Sequence, residues 1–126
     1  MRTLVVGVDS VHASARVADY LQDRLDGGTV HAAAPRPPDA GREAVRDAED
    51  ALNGVRSRLG VVADVETHRV DGDFAAGLLS LADDVGADEL VVGREGGADG
   101  GEANDAGWVA RVVDGATRPV VVVPVE

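Results

Sequence analysis

The sequence predicts an α/β protein of three layers: an open five-stranded parallel sheet with helices on both faces. Two observations carry that prediction. Short apolar runs of strand length alternate with segments of helical periodicity along the whole chain, and such alternation forms a parallel sheet with helices packed against it. The runs LVVGV (4–8), LVVG (90–93) and VVVV (120–123) are apolar without a break, as strands covered on both faces are.

Residues 2–9, RTLVVGVD, read as the first strand and end at an acid. Ser10 to Ser14 follow as a loop with candidate helix caps. From Ala13 to Leu25, the residues Val17, Ala18, Leu21 and Leu25 recur at spacings of three and four, which makes one apolar helix face. Asp26-Gly27-Gly28 end that helix. Residues 29–34, TVHAAA, form a second strand, and PRPPDAG (35–41) a proline-rich loop. Arg42 to Leu59 carry the clearest helical signal: Val45, Ala48, Leu52, Val55 and Leu59 alternate steps of three and four before Gly60. Residues 63–70, ADVETHRV, alternate apolar and polar. That suits a strand wetted on one face, near a sheet edge. Asp71-Gly72-Asp73 turn into a helix with Phe74, Leu78, Leu81, Ala82 and Val85, stopped by Gly86. DELVVG (88–93) is the fourth strand, and a glycine-rich loop occupies 93–107. Val109, Val112, Val113 and Ala116 mark the last helix, ending near Gly115, and PVVVVPVE (119–126) is the fifth strand. The expected organisation is a single domain over residues 1–126.

Composition narrows the function. Without cysteine, disulfides and thiolate chemistry are excluded. No apolar run reaches the length of a membrane span, and no signal segment is evident, so a cytoplasmic location is expected. The net charge is −11, from 23 acidic against 12 basic residues, and every basic residue is Arg. A high-GC genome accounts for the absence of Lys but not for the acid excess. That excess resembles the composition of extreme halophiles, where molar salt shortens the Debye length to about 3 Å and screens carboxylate repulsion. Nucleic acid is not an expected partner, because binding it needs a basic surface, and a membrane is not one either.

In an open parallel sheet, ligands sit beyond the carboxyl ends of the strands where strand order reverses. The loops placed there are Asp9-Ser10 and the 93–107 loop. Gly93 and Gly96 permit close backbone approach, and the following helix offers its positive end to an anion. Neither a P-loop nor a GxGxxG after the first strand is present.

The opening VVGVDS, the segment VDGDFAAGLLSLADDVGADELVVG and the closing VARVVDGATRPVVVVP resemble the universal stress protein family over the whole chain, here a haloarchaeal-type single-domain member. The resemblance implies the adenine-nucleotide hydrolase-like fold, with strand order 3-2-1-4-5, and a homodimer. ATP-binding members carry Gly-x-x-Gly, nine residues, then Gly followed by Ser or Thr. Gly93-Arg94-Glu95-Gly96 matches the first half; the second is replaced by Ala106-Gly107. The missing hydroxyl removes a phosphate hydrogen bond, and the Cβ of Ala106 obstructs the site if φ is positive there. Glu95, Asp99, Glu102 and Asp105 add like charge around a phosphate.

The resemblance implies that Asp9 contacts ribose or a metal-bound phosphate; capping the first helix is the simpler role. Ser10 and Ser14 read as cap residues, with Ser10 also at the crevice. Gly72 lines a base pocket by resemblance and is otherwise a turn glycine. Trp108 stacks on a base, or plugs a helix start or an interface. His12, His31 and His68 lie on separate segments without ligand spacing. Without a convergent carboxylate or thiol no metal site is expected from them; His12, in the loop after Asp9, is the one placed near the crevice. By resemblance the fifth strand is an edge strand, and an apolar edge invites pairing. This predicts a homodimer through residues 119–125.

The expected function is therefore that of a stress-associated cytoplasmic protein of a halophile. It is dimeric, is not an enzyme, and acts through interactions around a degenerate nucleotide pocket made of Asp9, Ser10, Gly72, Gly93, Gly96, Ala106 and Gly107. The alternative is a sensor that binds ATP or AMP with Mg2+; a nucleotide hydrolase is least favoured.

Overall fold

The structure is a computed structural model, which describes residues 2–36, 41–95 and 103–125. Strands and helices alternate: β1 (Thr3–Gly7), α1 (Val11–Gln22), β2 (Thr29–Arg36), α2 (Arg42–Leu59), β3 (Asp64–Asp71), α3 (Phe74–Val85), β4 (Glu89–Glu95), α4 (Ala103–Gly115) and β5 (Val120–Val125). The five strands form one sheet in the order β3-β2-β1-β4-β5, with every neighbouring pair parallel. This is the layered α/β fold that the sequence predicts.

Alternation of side chains along each strand divides the core in two. Leu4, Val6 and Val8 of the first strand segment join Val30, Ala32, Ala34 and Val91 beneath α1 and α2. Val5, Ala33, Leu90 and Val92 face the other way, against Phe74, Leu78, Val109 and Val112 of α3 and α4. Most of these side chains are Val or Ala, so the two layers gain their burial from many small contacts and few large ones.

Local signals in the sequence explain the start of α1 and both ends of α3. Ser10 caps α1, accepting from the Ala13 amide at 3.0 Å, and Asp73 caps α3, accepting from the Ala76 amide at 2.9 Å. Gly86 ends α3 in the left-handed conformation, with φ +65°. Arg118 completes that end: its guanidinium donates to the carbonyls of Ala82 at 2.6 Å and Ala87 at 3.0 Å, and to Asp83 at 2.9 Å.

Several boundaries differ from expectation. α1 runs from Val11 to Gln22, so it begins within the expected 10–14 loop and stops short of Leu25. β4 continues to Glu95, two residues past the expected end at Gly93. β2 runs through Pro35 to Arg36, pairing residue by residue with Val70 and Asp71, where the prolines suggested a loop. α4 starts at Ala103, so the end of the predicted glycine loop is helix. Ser14 lies inside α1 and is no cap. Its hydroxyl donates to the Ala51 carbonyl of α2 at 2.7 Å, a buried tie between the two helices.

Candidate functional site

β1 has β2 on one side and β4 on the other, so the strand order reverses there. The carboxyl ends of β1 and β4 open on the crevice where this architecture takes ligands. Three elements deliver side chains to it. The segment after β1 brings Asp9, the start of α3 brings Phe74, and α4 brings Trp108.

These residues hold one another. The Trp108 indole Nε1–H donates to Asp9 Oδ2 at 3.0 Å. The Trp108 ring meets Phe74 edge to face, with centroids 4.7 Å apart and planes at 63°, a favoured aromatic geometry. Both rings are 6% exposed. Gly7 at the end of β1 makes room chiefly for Leu78: a Cβ there would lie 2.6 Å from Leu78 Cδ1, and 3.4 Å from Trp108 Cζ3. Here an indole is buried against the end of β1. Trp108 is the sixth residue of α4, which starts at Ala103, so the contact is made from within the helix and not from its start.

The remaining predicted residues fall into separate roles. Ser10 acts as the α1 cap. Gly72 adopts φ +77° with nothing within 4 Å of a Cβ added there, so the β3–α3 turn demands a glycine by backbone conformation alone. At Gly93, a Cβ would come within 2.9 Å of Ala13 Cβ and 3.1 Å of Val17 Cγ2. This glycine lets α1 lie close on β4, a requirement independent of any ligand. Ala106 and Gly107 belong to α4, and no non-glycine residue among those described has positive φ. The condition under which Ala106 would strain the backbone is therefore not met. What the Ala106-Gly107 pair changes is chemical: it lacks the hydroxyl. Gly96, Asp99 and Glu102 lie outside the described residues.

A charged tie closes the front of the site. Arg111 of α4 meets Asp73 at 2.9 Å, linking α4 to the first turn of α3. The Asp73 carboxyl is held below its ordinary pKa, first by the hydrogen bond from the Ala76 amide and then by Arg111. Sequence reasoning missed this pair and the Trp108–Asp9 bond, because both join residues far apart in the chain. His12, in the first turn of α1, is exposed.

Among the described residues, no helix is long and apolar enough to cross a membrane. No curated protein matches the sequence. Solved structures do. A universal stress protein from Archaeoglobus fulgidus, in complex with dAMP, is 20% identical with a TM-score of 0.71, and the match covers 98% of both chains. A universal stress protein in complex with cAMP is 26% identical with a TM-score of 0.66, over 99% of this chain and 98% of that one. A universal stress protein family protein from Arabidopsis thaliana with AMP bound is 17% identical with a TM-score of 0.70, over 100% of this chain and 93% of that one. The family model described as the Universal stress protein family matches residues 1–124. With the sheet order, the layering and that match in agreement, the chain belongs to the universal stress protein family.

Proposed function

We propose that this protein acts by association and not by nucleotide turnover, as a stress-associated cytoplasmic homodimer whose nucleotide crevice is filled by its own side chains. The observation that carries this reading is the Trp108 indole, packed over Gly7 and bonded to Asp9 at the carboxyl end of β1. Sequence chemistry supports it. Ala106-Gly107 offers no hydroxyl where nucleotide-binding relatives present one, and the chain has no lysine to reach a phosphate.

The dimer reading rests on β5, an edge strand of the sheet. Val122 is 37% exposed, and an unpaired apolar edge is a liability that two-fold pairing through residues 119–125 removes. Size-exclusion chromatography in molar KCl tests it. The expected mass is about twice that of the chain; a clean monomer contradicts the dimer. The salt-adapted reading rests on the −11 charge.

A second reading is favoured by the matched structures that carry dAMP, cAMP and AMP: a sensor that binds an adenine nucleotide, with or without Mg2+. Thermal melts in molar KCl separate the two. A nucleotide at a hundred times its Kd stabilises by about 2.7 kcal/mol, a visible rise in Tm. The filled crevice predicts no shift with millimolar ATP–Mg or AMP, and a shift with either refutes it.

A further inference from the structure

β2 and β3 bring together three side chains that take no part in the Trp108–Asp9 contact. His31 on β2 stands in register with Glu66 on β3, and His68 lies level with Ala33. Strand alternation sends Glu66, His68 and Val70 to one face, and His31 and Ala33 to the same face. That is the α3 face, because Val70 and Ala33 pack in the cluster of Phe74 and Leu78. His31 Nδ1 and His68 Nε2 are 3.0 Å apart, with ring centroids 5.2 Å apart and planes tilted by 39°. Glu66 Oε1 is 3.9 Å from His31 Nδ1. One ligand atom from each residue lies within 4.8 Å of the others. The carboxylate that the sequence needed to bring converging histidines into a metal site is Glu66.

We propose that His31, His68 and Glu66 bind a divalent transition ion, with Zn2+ the best match. Two nitrogens on a tetrahedral zinc at 2.0–2.1 Å stand about 3.3 Å apart. The imidazoles need to part by only a few tenths of an ångström to admit it. Glu66 has a side chain 64% exposed, so its carboxylate can swing inward at little packing cost. Two imidazoles with one carboxylate suit Zn2+, Co2+ and Ni2+ better than Mg2+ or Ca2+, which take all-oxygen shells.

Without metal, one imidazole donates a hydrogen bond to the other. An ion replaces that bond with two coordinate bonds, which requires both rings neutral and both facing nitrogens unprotonated. Burial, and secondarily His31, hold the His68 pKa below its ordinary value, with Glu66 pulling the other way. That direction favours the neutral ring. The −11 charge raises the local cation concentration. Three protein ligands leave a fourth position for water, the pattern of an exchanging or reactive centre and not of a closed structural one. The proposal is independent of whether the crevice takes a nucleotide.

The test uses the full chain, stripped with chelator, in molar KCl with excess Mg2+ to occupy surface carboxylates. ZnCl2 is titrated by calorimetry and by thermal melt, with Co2+ absorption as a report of ligand geometry. The expected result is one Zn2+ per chain and a Tm raised by about 5 °C or more at a hundredfold excess over Kd. His68→Gln abolishes the shift, Glu66→Gln weakens binding about tenfold or more, and His12→Gln leaves it intact. Glu66 is exposed, so its variant stays folded whatever happens at the histidines. No zinc-dependent shift in the unsubstituted protein, or wild-type affinity in either His68→Gln or Glu66→Gln, overturns the proposal.

Discussion

The Trp108 indole donates its N–H to Asp9 across 3.0 Å, joining residues 99 positions apart. This bond fastens α4 to the segment after β1 at the mouth of the crevice, and the Phe74 ring meets the indole in a T-shaped contact. Trp108→Phe keeps most of the apolar volume but removes the donor to a partly buried carboxylate, and is expected to cost about 1.5–3 kcal/mol in chemical denaturation. Trp108→Ala also opens a cavity, and the expected cost rises to about 3–5 kcal/mol. If the indole is what fills the crevice, AMP raises the Tm of Trp108→Ala while leaving the parent unchanged. An AMP response in the parent, or in neither protein, contradicts that role.

Gly93 tests packing against ligand approach. A Cβ there meets Ala13 and Val17 within 2.9–3.1 Å, and helix and strand backbones must shift to accept it. Gly93→Ala is expected to cost about 1–3 kcal/mol without any nucleotide present. An unchanged melt would return this glycine to a ligand role.

Asp73 sets an acid limit on the α3–α4 contact. Its pKa is lowered from 3.8 by the Ala76 amide and by Arg111. A depressed carboxyl contributes stability that is complete above its unfolded value and is lost as pH falls through the folded one. The contribution is therefore constant at neutral pH and declines only below about pH 4. Asp73→Asn preserves the capping oxygen but has no charge to titrate. Melts taken stepwise from about pH 5 to about pH 2.5 should show a shallower fall in Tm for the variant. Parallel curves would show that Asp73 contributes nothing to the acid transition.

The charge of −11 makes ionic strength a structural variable. Raising KCl from about 0.1 M to about 2 M shortens the screening length from about 10 Å to about 2–3 Å. The Tm should rise over that range as carboxylate repulsion is screened. A flat or falling curve would show that the acidic surface carries no salt requirement.

Periodicity made most of the architecture readable. Val45, Ala48, Leu52, Val55 and Leu59 marked α2, which runs from Arg42 to Leu59 as expected. Asp73 and Gly86 bracket α3 as its caps. The alternating ADVETHRV segment is β3, at the sheet edge. Where local chemistry was ambiguous, it misled: Pro35 looked like a break, yet the strand continues through it beside β3. The sequence put Asp9 and Gly93 at the crevice; Asp9 meets Trp108 there, whereas Gly93 is required by the packing of α1 on β4.

The sequence by itself determined the element order, the two-sided burial of the strands and the excess of acidic residues. Those properties depend on residue type and on spacings within a few turns of chain. Only the tertiary structure decided that Trp108 meets Asp9, that Gly93 serves α1, and that His31, Glu66 and His68 converge. Such meetings depend on which strands become neighbours and in what register. Hydrogen bonding between distant segments sets that relation, and no local pattern in the chain encodes it.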